Sequence, residues 1–345
     1  MTKKKIATGK RVVFAQKGVV EIRDWDVFEP ERGEVLFENR VSLVSPGTEL
    51  SRLHDTHSVS RPYPTNTGYV SAGRVVKLGP GVEGVEPGQP VLSSLGHISH
   101  HPVPASSLTP VPEGMELKDA VWTALCRISI FGVQRGGVGL GDAVGVFGLG
   151  VIGQLAVAFS HLAGGLPVVG IDPVAFRRQK ALEVGADATI DPRDGKLAEQ
   201  VRDLTAGHGF DVVIESTGTP HVAHQLFEYC APGAVVVILG GVHKPVSLDL
   251  YSHFQRKGIT MVGAHGPTTP QEASVIYRRN TGFNTAYILR AIRKGALKVG
   301  TLLTHLVPFR QAPEMYRALT EEKDRTLGVA FDWTETAEEL QSLWG

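Results

Sequence analysis

The sequence predicts an α/β protein: a doubly wound parallel sheet, inserted into a β-rich domain that is split along the chain. Three observations predict it. Over residues 142–172 an apolar strand, a glycine-rich turn, a helical stretch and a second apolar strand follow one another. The same alternation continues to about residue 265. On either side of that block, short apolar runs are broken by glycine and proline, the pattern of small twisted sheets.

In the first stretch, Val144 to Phe147 reads as a buried strand. Gly148, Leu149, Gly150, Val151, Ile152 and Gly153 make the turn, Gln154 to Leu162 carry a helical apolar pattern, and Pro167 to Ile171 form a second strand ending at Asp172. The arrangement predicts a dinucleotide site. Gly148 permits the tight bend, Gly150 lets a pyrophosphate approach backbone N–H groups at the positive helix end, and Gly153 lets helix and strand pack closely. A bare GxGxxG is a weak signal, but this one follows a strand, opens a helix and has an acid about 20 residues further on.

Asp172 bears on the cofactor. A carboxylate at the end of the second strand accepts both ribose hydroxyls of NAD and repels the 2′-phosphate of NADP. NAD is therefore expected. Arg177 and Arg178 offer the opposite reading, a phosphate clamp, or simply the solvated face of a helix from Val174 to Val184.

At 345 residues the chain is too long for one ordinary core. With 42% apolar and 20% charged residues it is a compact globular chain, and 35 basic against 35 acidic side chains remove the electrostatic argument for nucleic acid or an anionic membrane. Small-molecule partners are expected instead. No apolar run approaches the roughly 20 residues of a membrane span. MTKKKIATGKR lacks the apolar region of a signal peptide, so a cytoplasmic location is expected. Cys126 and Cys230, the only cysteines, are too few for a disulfide framework or a four-thiolate zinc site.

Residues 11–45 and 68–92 read as strands and turns without a long helix, and residues 117–135 as helical. After Asp172 come a helix to Val184, a short strand in GADATID, a helix over Leu197 to Leu204, a strand from Asp211 to Glu215, a helix from Pro220 to Tyr229, and strands at Ala234 to Leu239 and Ile259 to Val262. Ala273 to Arg293 reads as helical, TLLTHLVPF as extended, Ala312 to Leu319 as helical, TLGVAFDW as a closing strand and TETAEELQSLWG as a short amphipathic helix. These give three segments: 1–128, β-rich; 129–265, nucleotide-binding; 266–345, returning to the first.

SPGTEL (45–50), TGYVSAGRVVKLGPGVEGVEPGQPVL (67–92), PVPASSLTPVPEG (102–114), GLGVIG, GADATID, FDVVIESTG (210–218) and TLGVAFDW (326–333) occur in an order that resembles the medium-chain dehydrogenase/reductase superfamily over nearly the whole chain. The resemblance implies a GroES-like catalytic domain with an inserted Rossmann domain. It implies hydride transfer between nicotinamide and an alcohol or carbonyl, or reduction of an activated double bond. It also places the adenosine half of the cofactor near Ser216, Thr217 and Gly218, and the nicotinamide near Leu239, Gly240 and Gly241. His265 faces either the nicotinamide or a dimer surface. Homodimers or homotetramers are expected, paired at the outer strand Ile259 to Ala264.

Most alcohol-oxidising members hold a catalytic zinc, and here the ligand positions depart. The CGTD-like motif reads Pro46, Gly47, Thr48, Glu49; the GHE motif reads Gly68, Tyr69, Val70; a third ligand would fall near Ala124 to Cys126. Proline, tyrosine and valine do not replace thiolate, imidazole and carboxylate. No zinc is expected, and the HISHH cluster (His97, His100, His101) reads as partly exposed histidines rather than a substitute site.

Without a metal, a side chain must take or relay the hydroxyl proton. The candidates are Tyr69 at the vacated ligand position, Thr48, Glu49 beside it, and His97, which precedes a segment that the resemblance puts near substrate; His54 is weaker and, with His57, reads as solvated. The family's relay histidine is Ser51 here. Arg127, alone among apolar neighbours, reads either as a binder of an anionic substrate group or as half of a buried ion pair. The function expected is a zinc-independent NAD-dependent dehydrogenase of a polar polyol, cyclitol or sugar-like secondary alcohol. The alternatives are an NADPH-dependent quinone or enoyl reductase of the same fold, and a nucleotide-binding protein without turnover.

Overall fold

The computed structural model describes residues 3–272 and 279–341. They form two compact units: residues 1–124 together with 303–345, and residues 125–302. The nucleotide unit thus runs on to Leu302, so the described residues of 266–302, a stretch the sequence pattern groups with the returning segment, belong to it.

The second unit holds a six-stranded parallel sheet, built from Val144–Phe147, Val168–Ile171, Ala188–Ile190, Phe210–Glu215, Cys230–Ile238 and Thr260–Gly263. Counted in chain order, the strands lie 3-2-1-4-5-6, so the order reverses beside the first strand. These strands read as unbroken apolar runs because helices cover both faces of a parallel sheet. Val144–Phe147 and Val168–Ile171 are buried at every position. The outer strand Thr260–Gly263 is the most open of them, with Met261 45% exposed.

In the first unit a seven-stranded mixed sheet runs through Glu34–Leu43, with Ser71–Leu78 on one side and the returning strand Gly328–Asp332 on the other. Lys5–Gln16, Val19–Phe28 and Thr65–Asn66 make a separate antiparallel sheet. The returning segment fills this unit's core: Phe309 stacks on Trp333 at 4.5 Å, and Tyr316 packs edge-on against Phe14.

Residues 117–135 form two helices, Leu117–Ala120 and Thr123–Gly136. The Ala273 to Arg293 reading is helical over Thr281–Arg293, and residues 273–278 lie outside the described residues, as do the last four of TETAEELQSLWG, helical over Thr334–Gln341. A helix at Pro46–Leu53 was not expected; proline in its first turn and Glu49 near its start are its local signals.

The tightest constraint on the nucleotide sheet is at Gly153, where a Cβ would stand 1.8 Å from the Gly148 carbonyl oxygen. The backbone itself would have to move. Gly153→Ala should therefore cost about 2–3 kcal/mol and weaken nucleotide binding together with stability; chemical denaturation and NADH titration of the same variant check this.

Candidate functional site

The nucleotide cradle is assembled at the carboxyl ends of the parallel strands. Gly148 takes a left-handed φ of 88°, which turns the chain out of the first strand, and Gly150 caps the helix Val151–Ala163. A Cβ at Gly150 would meet nothing within 4 Å, so open space lies before the amides of Val151 and Ile152 at the positive helix end. This is the cradle a pyrophosphate requires.

Asp172 is 4% exposed, and its two oxygens accept from the backbone N–H groups of Leu149 and Val174, each at 2.8 Å. Each oxygen keeps a lone pair for a ribose hydroxyl. Arg178 donates to the Asp172 carbonyl at 2.7 Å and lies 3.0 Å from Asp191, on which Arg193 also closes; the Arg193 guanidinium holds the Asp191 carboxyl well below its usual range. Arg178 is therefore structural. Arg177 stands 4.0 Å from Asp172 and its buried Nε has no hydrogen-bond acceptor among the described residues.

Ser216, Thr217 and Gly218 are shaped by Glu215. Its buried Oε1 accepts from the amides of Thr217 (2.7 Å) and Gly218 (3.0 Å) and from the Thr217 hydroxyl. Burial pushes the Glu215 carboxyl up while these donors oppose the shift. Sequence reasoning passed over Glu215 because a strand's last residue carries no such signal. Gly240 packs so that a Cβ would lie 2.6 Å from the Gly218 amide; Leu239 is buried, Gly241 follows, and His265 is exposed after the last strand.

In the first unit, Thr48, Glu49 and Tyr69 come together and His97 joins them. Tyr69 donates to the Ser45 hydroxyl at 2.7 Å, with the Thr48 hydroxyl also within bonding reach. Burial raises the Tyr69 phenol above its usual range, and the Glu49 charge adds to the rise. Glu49 is 1% exposed: Oε1 accepts from the Ser45 amide at 2.7 Å, and Oε2 from the Tyr316 hydroxyl and His97 Nε2, the latter at 3.1 Å. His97 Nδ1 meets the Ser42 hydroxyl at 2.7 Å, and Ser42 accepts from Trp333 Nε1 at 2.8 Å. One assignment satisfies every group: Ser42 donates to Nδ1, and Nε2 donates to Glu49.

Glu49 and His97 are therefore wholly buried and brace the site, while Tyr69 and Thr48 keep some exposure. Ser51 donates to the Thr48 carbonyl at 2.8 Å and is not a relay here. The partly exposed reading of HISHH is corrected. His97 and His100 are completely buried because strand His100–Pro104 and the turn before it fold against Glu34–Leu43, and His101 is half-buried beside Trp25. His54, read as solvated, is half-buried, and its Nε2 meets no acceptor among the described residues.

Zinc does not fit these residues. Pro46 has no donor atom, the Tyr69 hydroxyl is neutral and engaged, and the Glu49 carboxylate is already taken by three donors. Cys126 is buried and burial pushes its thiol far up; among the described residues no three His, Cys, Asp or Glu side chains converge as a metal site.

Comparison with known proteins agrees with this architecture. Residues 151–278 match the family model described as zinc-binding dehydrogenase. The chain is 27% identical over 337 residues to L-threonine 3-dehydrogenase of Pyrococcus furiosus, covering 86% of this chain and 92% of that protein. It is 29% identical over 231 residues to D-guloside 3-dehydrogenase of Escherichia coli, 65% of either chain. A zinc-binding dehydrogenase from Sinorhizobium meliloti, solved with NADP, superposes with a TM-score of 0.79 at 21% identity, over 94% of this chain and 99% of that one.

Tyr316→Phe removes one of three donors from a buried carboxylate. It should cost about 1–3 kcal/mol of unfolding free energy, read by denaturant titration, and leave the nucleotide cradle's affinity for NADH unchanged.

Proposed function

We propose that this chain is a member of the medium-chain dehydrogenase/reductase superfamily, a zinc-independent, NAD-preferring dehydrogenase that interconverts a secondary hydroxyl and its ketone on a polar polyol, cyclitol or sugar-like substrate. The observation that carries the reading is a pairing: an intact nucleotide cradle in one unit, and in the other a vacated metal position lined by hydroxyls, Tyr69 on Ser45 at 2.7 Å with Thr48 beside it. The substrate class draws support from relatives that act on hydroxyl-bearing carbon, L-threonine and D-guloside dehydrogenases.

Gly148 to Gly153 would hold the pyrophosphate of NAD and Asp172 its adenosine ribose. When bound, the nicotinamide accepts or gives up the hydride. The chain's own residues handle the proton. With its phenol raised, Tyr69 is a neutral donor near pH 7, suited to give a proton to the oxygen of a ketone being reduced. In the oxidative direction it must first lose that proton. Thr48 and Ser45 orient the substrate oxygen and the phenol, and Glu49 and His97 hold Ser45 in place. NAD is preferred because Asp172 leaves no room for a 2′-phosphate without charge repulsion. Homo-oligomer formation through the exposed edge Thr260–Gly263 completes the proposal.

Fluorescence titration should show NADH binding at least about tenfold tighter than NADPH, and Asp172→Ser should narrow the gap; preference for NADPH would overturn the assignment of Asp172. Because Tyr69 deprotonates only above its raised pKa, oxidation should accelerate with pH through the neutral and alkaline range while ketone reduction stays flat. Tyr69→Phe should abolish that rise and lower kcat about 100-fold or more, measured as NADH formation or loss across a panel of polyols, cyclitols and their ketones.

A further inference from the structure

Arg127 has no part in the chemistry described so far. It lies in the second turn of helix Thr123–Gly136 and is half-buried. Burial alone moves its pKa, downward, and no counter-charge among the described residues faces it. The residues outside the described ranges, MT, ASVIYR and SLWG, contain no aspartate or glutamate. Of the two readings open to the sequence, the buried ion pair has no second member among the described residues.

The helix geometry shows where this guanidinium stands within its unit. A Cβ at Gly136 would lie 2.8 Å from Val212 and 3.1 Å from Val237, in the body of the sheet, whereas one at Gly132 would lie 2.9 Å from Leu239, just past a strand's end. Followed back toward its start, the helix therefore climbs past the carboxyl ends of the strands. Arg127, five residues before Gly132, is about 7 Å further along the axis. Its neighbours fix the surroundings: Ser129 donates to the Ile152 carbonyl at 2.9 Å, in the first turn after the glycine loop, and Ile128 approaches Gly266, which follows the last strand. This is the crevice beyond the carboxyl ends, where open α/β sheets take their ligands.

A guanidinium partly withdrawn from water with no ion-pair partner among the described residues gives up hydration for nothing in the free protein. Its planar fork of donors matches a carboxylate or phosphate in two-point contact. We propose that Arg127 binds an anionic oxygen group, a carboxylate or a phosphate, on a ligand held at the carboxyl edge of the nucleotide sheet. The group belongs either to an acidic substituent of the substrate or to the cofactor's own phosphate; the choice of ligand rests on the nicotinamide-dependent reading, and the lack of a counter-charge for Arg127 among the described residues does not.

The test compares the full-length protein with Arg127→Met and Arg127→Lys. Thermal midpoints are read without ligand, and affinities by fluorescence for NADH and by competition for gluconate and glycerol 3-phosphate. The expected result is an Arg127→Met midpoint equal to or above that of the parent, with affinity for at least one probe lowered about tenfold or more and partly restored in Arg127→Lys. Loss confined to NADH assigns the group to the cofactor; loss confined to gluconate or glycerol 3-phosphate assigns it to the substrate. A lowered midpoint in Arg127→Met shows a structural partner and overturns the proposal. So do unchanged affinities for every probe the parent binds. If the parent binds no NADH, the dehydrogenase reading fails by itself, and the two acids still decide Arg127.

Discussion

The split unit is organised around one buried charge. Removing a carboxylate from water costs several kcal/mol even after relaxation, and only well-placed donors offset it. Glu49 receives three: a backbone amide from its own helix, an imidazole from the turn at His97, and a phenol from Tyr316, 267 residues further along the chain. The carboxylate therefore requires that the segment after the nucleotide unit return to the first one. Trp333 repeats the demand by donating to Ser42, the residue that meets His97. An inserted architecture is the topological consequence: neither half of the unit satisfies this network without the other.

The same network explains what stands at the vacated metal position. A thiolate, an imidazole and a cation would supply there a charged, rigid anchor for an oxygen. Proline, tyrosine and glutamate supply instead a neutral phenol oriented by hydroxyls, kept protonated first by its burial and then by the Glu49 charge behind it. Such a site donates protons more readily than it accepts them. On the proposed reading, its chemistry is biased toward protonating an oxygen, and alkaline conditions are needed to run it the other way.

The nucleotide sheet was largely legible in the sequence because its rules are local. Strand, glycine turn and helix are contiguous, and each glycine has one steric reason: positive φ at Gly148, open space at Gly150, a carbonyl 1.8 Å from a would-be Cβ at Gly153. Six strands and their helices followed, with ends displaced by a few residues because frayed termini carry no apolar signal. The hydroxyl-lined site around Tyr69 was legible only in part. Tyr69, Thr48 and Glu49 could be found from the resembling motifs, but nothing local marks Tyr316, Ser42 or Trp333 as their support. The burial of His97 and His100 likewise arises from strand pairing across 60 residues of chain. Arg127 was visible as an oddity among apolar neighbours; only the structure shows that no carboxylate among the described residues pairs with it.

If hydroxyls stand in for a metal at this site, as proposed, activity must survive metal exclusion. The protein would be dialysed against a strong chelator, its zinc content determined by elemental analysis, and turnover of a polyol panel with NAD measured in chelator and after adding zinc. Full activity at substoichiometric zinc, unchanged by the addition, is the predicted result. Activity that vanishes in chelator and returns only with zinc would contradict the account.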